Sequence, residues 1–290
     1  MSKIVNLSSY ELVITYSWHK NSNHGICGHT YEVIDYFYIL NKYFKCCIFL
    51  GELQWNVFEK ILDKYNFSNN EIKIIKENTI CKYKPLILKG NNILIVDGGH
   101  QLIENNSLFF KSISMFPCGN RNIPNTEKNI NIFADTRIYK FGEHYVKKIL
   151  LSKLKTPKKS KKRTLLYGTS NCRLISLDYI NKLNDKYLII QDFKNETNNN
   201  IEYKIAPVDN IFEEFDKYVY TSVPRKFDCS PRFIVECKYF NKEVIYDLDY
   251  EIEEDIGLYW RLYDIKNNFK SLELNNNDNI IKLLSKVINV

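Results

Sequence analysis

The stretch "NIFADTR", Asn131 to Arg137, puts a carboxylate and a guanidinium two residues apart, directly after a short apolar run. If the run is a strand, Asp135 and Arg137 leave its carboxyl end. A carboxylate there can take a proton from an attacking hydroxyl as general base. Arg137 can hold a phosphate or tune the pKa of Asp135. The plainer alternative is a surface ion pair at a strand end.

Three further groups carry chemistry. In "LLYGTSNCR", Gly168, Thr169 and Ser170 stand between an apolar run and a helical pattern, with Arg173 one turn on. Small residues, hydroxyls and open N–H groups at a helix start suit a phosphate, and they equally suit an N-cap. No GK[ST] follows, so this is not a P-loop. In "PRFIVEC", Pro231 fits the first position of a helix, which puts Arg232 in the first turn and Glu236 four residues on. A cation there opposes the helix dipole, a poor choice for stability and a good one for an anionic ligand. An exposed i,i+4 pair is the alternative. Asp97 stands in "VDGGH", whose glycines fit a tight turn after a strand.

The loop "SWHKNSNHGICGH", Ser17 to His29, holds three histidines and Cys27 at spacings that fit no standard zinc pattern. It also lacks the three glycines of a dinucleotide fingerprint. His29, at the start of a helical pattern, reads as a substrate contact. No metal site is assigned.

These residues need a scaffold, and the pattern supplies strands and helices in alternation. "ELVITY" reads as a first strand. A helix follows, with Val33, Ile34, Phe37 and Leu40 on its apolar face. "KCCIFL", the helix "WNVFEKILDKY", "NILIVDGG" and "NINIF" continue the series. "TPKKSKK" is the strongest linker signal. Beyond it come "RTLLYG", the helix "NCRLISLDYINKL", "KYLII", "EYKIAP", the short helix "NIFEEF", "KYVYT", the helix from Arg232 and "EVIY". The terminal helix places Ile280, Leu283, Leu284, Val287 and Ile288 on one face. The expected fold class is α/β, with two Rossmann-like lobes facing across a cleft and ligands outside the carboxyl ends of the strands. Residues 1–155 form the first, acceptor-side lobe, 156–163 a basic linker, 164–275 the second lobe and 276–290 a C-terminal helix.

Taken together, the three motifs "NIFADTR", "LLYGTSNCR" and "PRFIVEC" resemble those of the GT-B glycosyltransferases, and among them the DNA β-glucosyltransferases of T-even phages. The resemblance spans most of the chain loosely, with the motifs in the same order. It implies Asp135 as catalytic base and Gly168, Thr169, Ser170 and Arg173 at the donor diphosphate. It implies Arg232 on phosphate and Glu236 on the ribose hydroxyls. By their positions at a helix start and after strands, and not through the resemblance, His29, Asp97 and Arg137 are assigned to the acceptor or the cleft. The implied co-substrate is a nucleotide sugar, a UDP-sugar first, with no tightly bound cofactor; a divalent metal is compatible with such a donor. The implied acceptor is duplex DNA carrying hydroxymethylated pyrimidines. Transfer to a surface glycan or lipid-linked sugar, and non-catalytic binding of nucleotide or nucleic acid, are the alternatives.

Composition limits the choice. The 290 residues are 44% hydrophobic and 14% aromatic, enough for a sizeable core. The net charge of +7 suits an acidic partner without identifying one. Between Val146 and Arg163 there are nine Lys or Arg and no acid. That segment reads as a solvated linker or as a surface for a polyanion. Eight Cys form no CxxC pair. No apolar run reaches the 18 or so residues of a membrane span, and the N-terminus lacks a signal-peptide core. A cytoplasmic protein with reduced thiols is expected.

Overall fold

The computed structural model describes residues 3–16, 28–50, 55–81, 86–97, 107–116, 126–133, 143–144, 148–167, 186–190, 201–204, 208–220, 232–246 and 269–288. The chain divides into two compact units, Met1–Leu154 with Glu273–Val290, and Lys155–Leu272. Every strand pairing among the described residues is parallel.

The first unit is built on an eight-stranded sheet in the order β4-β3-β2-β5-β6-β7-β8, with β1 beside β5. Six strands are substantial: β1 (Lys3–Asn6), β2 (Leu12–Thr15), β3 (Cys46–Phe49), β5 (Leu86–Ile95), β6 (Ser107–Phe116) and β7 (Asn129–Phe133). β4 (Thr79–Ile80) and β8 (Glu143–His144) have two residues each. β2 and β3 are buried throughout, as their continuous apolar runs require of strands covered on both faces. The arrangement is Rossmann-like.

The first strand is β1, ahead of "ELVITY". β5 is also longer than its apolar run, because it continues through Lys89-Gly90-Asn91-Asn92. Asn91 Nδ2 donates to the Ser8 and Tyr10 carbonyls at 3.1 and 2.8 Å, and Asn92 Nδ2 to the Glu11 carbonyl at 2.9 Å. The asparagines therefore brace the β1–β2 connection. Gly90 lies under Phe109 of β6, where a Cβ would come within 2.6 Å of the ring. β6 carries serines and a lysine, which hid it. Its buried Lys111 donates to the Val287 carbonyl at 2.7 Å, so the amine caps the C-terminal end of the last helix.

Three helices belong to the first unit's N-terminal part: α1 (Gly28–Leu40), α2 (Trp55–Leu62) and α3 (Asn69–Glu77). α3 opens on a capping box, with Ser68 Oγ accepting from Glu71 N–H and the Glu71 carboxylate accepting from Ser68 N–H. α1 is buried at Thr30, from Glu32 through Phe37, and at Ile39 and Leu40. It is covered on all sides.

The second unit has a five-stranded sheet, β11-β10-β9-β12-β13. Its strands are β9 (Thr164–Tyr167), β10 (Tyr187–Ile190), β11 (Ile201–Lys204), β12 (Lys217–Tyr220) and β13 (Glu243–Tyr246). "NIFEEF" forms one 3-10 turn, Ile211–Glu213. Between β12 and β13 runs α4 (Arg232–Tyr239). Phe233 anchors it, stacked on Phe212 at 5.3 Å and edge-on to Tyr218 at 5.0 Å. The helix "NCRLISLDYINKL" lies outside the described residues. The last helix, α5 (Asn279–Ile288), belongs to the first unit and buries Ile280, Ile281, Leu283 and Leu284. No described helix is long and apolar enough to cross a membrane.

Candidate functional site

α4 is stopped by a residue that tolerates left-handed backbone. Asn241 has φ 55°, Lys242 N–H donates to the Cys237 carbonyl and Asn241 N–H to the Lys238 carbonyl. This is a Schellman cap. Lys242 then leads straight into β13, so the C-terminal end of α4 is tied to the amino edge of the second sheet. The helix runs antiparallel to β12 and β13, and its first turn points toward the carboxyl edge. That is the edge at which ligands bind in sheets of this kind.

Arg232 is the first residue of that turn. Its Nε donates to Glu236 Oε1 at 2.6 Å, and the two residues are only 5% and 1% exposed. The exposed ion pair that the spacing alone allowed is therefore ruled out. Burying both charges costs several kcal/mol per ion before their attraction is counted, so such pairs add little net stability. The hydrogen bond turns the guanidinium along the helix and holds the carboxylate one turn deeper.

A second buried charge supports the helix from below. The Lys242 amine donates to the Phe212 carbonyl at 2.6 Å, the Phe215 carbonyl at 2.7 Å, and Ser160 Oγ. Burial lowers its pKa. These acceptors belong to segments that precede β12 and β9, so Lys242 ties the end of α4 to the amino edge.

In the first unit, α1 connects the parallel strands β2 and β3, and its first turn also points toward the carboxyl edge. His29 stands there, with Nδ1 3.2 Å from Glu32 Oε2. Glu32 is buried, and Asp35, one turn on, is fully buried and accepts from Tyr65 OH at 2.7 Å. Sequence reasoning did not single out Glu32 or Asp35. The available signal was that α1 is apolar on nearly every face, so its acids had to be buried with it. Tyr36 beside them is pushed up by burial and then by the Glu32 carboxylate. Asp97 lies half-buried two residues past the end of β5, at the same edge.

β7 ends at Phe133, two residues before Asp135. Asp135, Arg137, Gly168, Thr169, Ser170 and Arg173 lie outside the described residues. The described candidates thus fall into two sets: His29 and Asp97 in the first unit, Arg232 and Glu236 in the second. Among the described residues no group of three or more His, Cys, Asp or Glu could hold a metal. The adjacent Cys46 and Cys47 are free, buried thiols, and burial pushes Cys47 up to about 12, so neither suits nucleophilic work.

The basic stretch divides in two. Lys148 pairs with Asp278 at 3.3 Å, Lys153 with Glu71 at 2.8 Å, Lys161 with Glu214 at 2.9 Å, and Arg163 with Glu202 and Glu214. Lys155, Lys158, Lys159 and Lys162 are exposed.

No protein family, no curated protein and no solved structure matches this chain. The class defined by the fold is an α/β protein with a Rossmann-like parallel sheet and a second, smaller parallel sheet.

Proposed function

We propose that this protein is a glycosyltransferase that moves a sugar from a nucleotide-sugar donor, a UDP-sugar first, to an acceptor hydroxyl with inversion. The carrying observation is the buried pair formed by Arg232, in the first turn of α4, and Glu236, one turn deeper. A cation at that position opposes the helix dipole and is compensated when an anion is bound nearby. In this reading Arg232 contacts the donor diphosphate and Glu236 accepts hydrogen bonds from the ribose hydroxyls. Gly168, Thr169, Ser170 and Arg173 complete the diphosphate contacts, stabilising the charge that develops as the nucleotide leaves. Asp135 takes the proton from the acceptor hydroxyl, and His29, Asp97 and Arg137 serve the acceptor side. The acceptor favoured by the motif resemblance is a hydroxymethylated pyrimidine in duplex DNA, which requires the base to be flipped out of the stack.

The test combines calorimetric titration with UDP and a transfer assay that uses labelled nucleotide sugars on hydroxymethylated and plain duplex DNA. Wild-type protein should bind UDP and label only the hydroxymethylated duplex. Asp135→Asn should abolish transfer and leave UDP binding intact. Wild-type transfer by Asp135→Asn would remove Asp135 as the base. Absence of both UDP binding and turnover would remove the reading as a whole.

A further inference from the structure

Residues 158–163 are held in place by backbone hydrogen bonds at three points. Lys158 N–H donates to Glu213 Oε1 at 3.1 Å, Lys161 N–H to the Glu213 carbonyl at 2.9 Å, and Arg163 N–H to Asp216 Oδ1 at 2.9 Å. Ser160 Oγ receives the buried Lys242 amine. The stretch is a strap along the amino edge of the second sheet, where β9 and β12 begin. Two of its cations are spent on the unit itself: Lys161 and Arg163 converge with Lys204 on Glu214. Lys155, Lys158, Lys159 and Lys162 face solvent within eight residues of chain. None of the exposed large hydrophobic residues falls in the strap.

We propose that these four lysines form a docking surface for the phosphodiester backbone of nucleic acid, on the edge of the second unit opposite the first turn of α4. The pinned backbone lowers the entropy lost when the lysines engage a polyanion. The chemistry is that of point charges with no base-reading or stacking group, so the contact is sequence-independent. A membrane surface would add exposed apolar or aromatic side chains to such a cluster, and the strap has none. The surface stands independently of the donor reading and works without a nucleotide sugar.

Binding of the full chain to plain duplex DNA, with no donor present, is measured across a salt series. Four phosphate contacts contribute a slope of about −3.6 in log K against log salt. Changing Lys155, Lys158, Lys159 and Lys162 together to Gln should flatten the slope by about that amount and weaken binding more than tenfold at low salt. The thermal midpoint should stay unchanged, because the one bond these four residues make within the unit comes from the Lys158 backbone N–H. The same four changed to Arg should keep the slope. A control with Lys60, Lys270, Lys282 and Lys286 changed to Gln has the same net charge and should also keep it. An unchanged slope in the strap variant, or equal flattening in the control, overturns the proposal. So does lysine-dependent binding to phosphatidylserine vesicles with no lysine effect on DNA.

Discussion

Arg232 and Glu236 share one hydrogen bond and almost no contact with water. Removing either partner takes a close counter-charge away from a buried charge. Arg232→Met or Glu236→Leu alone should therefore lower the unfolding free energy by about 3–5 kcal/mol, and the double variant should regain most of that loss. Urea unfolding of the two single variants and the double reads this directly. UDP titration separates stability from function: the double variant should fold and fail to bind UDP. A double variant that folds and binds UDP as wild type does would make the pair a packing feature. Glu32 and Asp35 lack the same legibility in sequence. They stand inside a helix that is apolar on nearly every face, and that setting is the sequence signal for their burial.

At the level of elements, apolar runs were the readable part. "KCCIFL", "NINIF", "RTLLYG", "KYLII" and "KYVYT" all contain strands, because strands of a parallel sheet covered on both faces must be apolar throughout. The missed elements share a cause: polar residues whose partners lie far along the chain. Lys111 in β6 reaches Val287, and Asn91 and Asn92 in β5 reach the β1–β2 turn. Local sequence does not record such partners. α3 is legible through "SNNE", the capping box at its start. The position of Arg232 was legible from Pro231, whereas its burial depends on how α4 packs. The anchor at the other end of α4 gives the prediction for this scale. Asn241 sits at φ 55° with its side chain exposed. Asn241→Ala should destabilise the second unit by about 1–2 kcal/mol, since a Cβ is disfavoured in left-handed backbone. Asn241→Gly should be neutral or stabilising. Equal losses for Ala and Gly in chemical denaturation would mean that the side chain, and not the backbone angle, holds the cap.

Each of the two units contains a carboxylate held by several donors, and the whole molecule should therefore weaken in acid at two separate points. Burial alone would raise the Glu71 pKa, but hydrogen bonds from Lys153, Ser68 N–H and Tyr38 bring it down to about 2. In the second unit, burial opposes and hydrogen bonds from Lys204 and Lys161 prevail, which holds Glu214 at about 2 as well. An unfolded glutamate titrates near 4.3. A folded pKa below the unfolded one means the stabilisation is complete above about pH 4.5 and is lost as the pH falls toward 2. Hydrogen exchange followed by mass spectrometry can report each unit by its own peptides. In wild type, protection should decline in both units over that window. Glu71→Gln should be less protected at neutral pH and should flatten the acid decline in the first unit only; Glu214→Gln should do the same in the second. Full acid sensitivity retained in the substituted unit would show that other carboxylates govern its acid response. A substitution that flattened both units together would show that they unfold as one cooperative body.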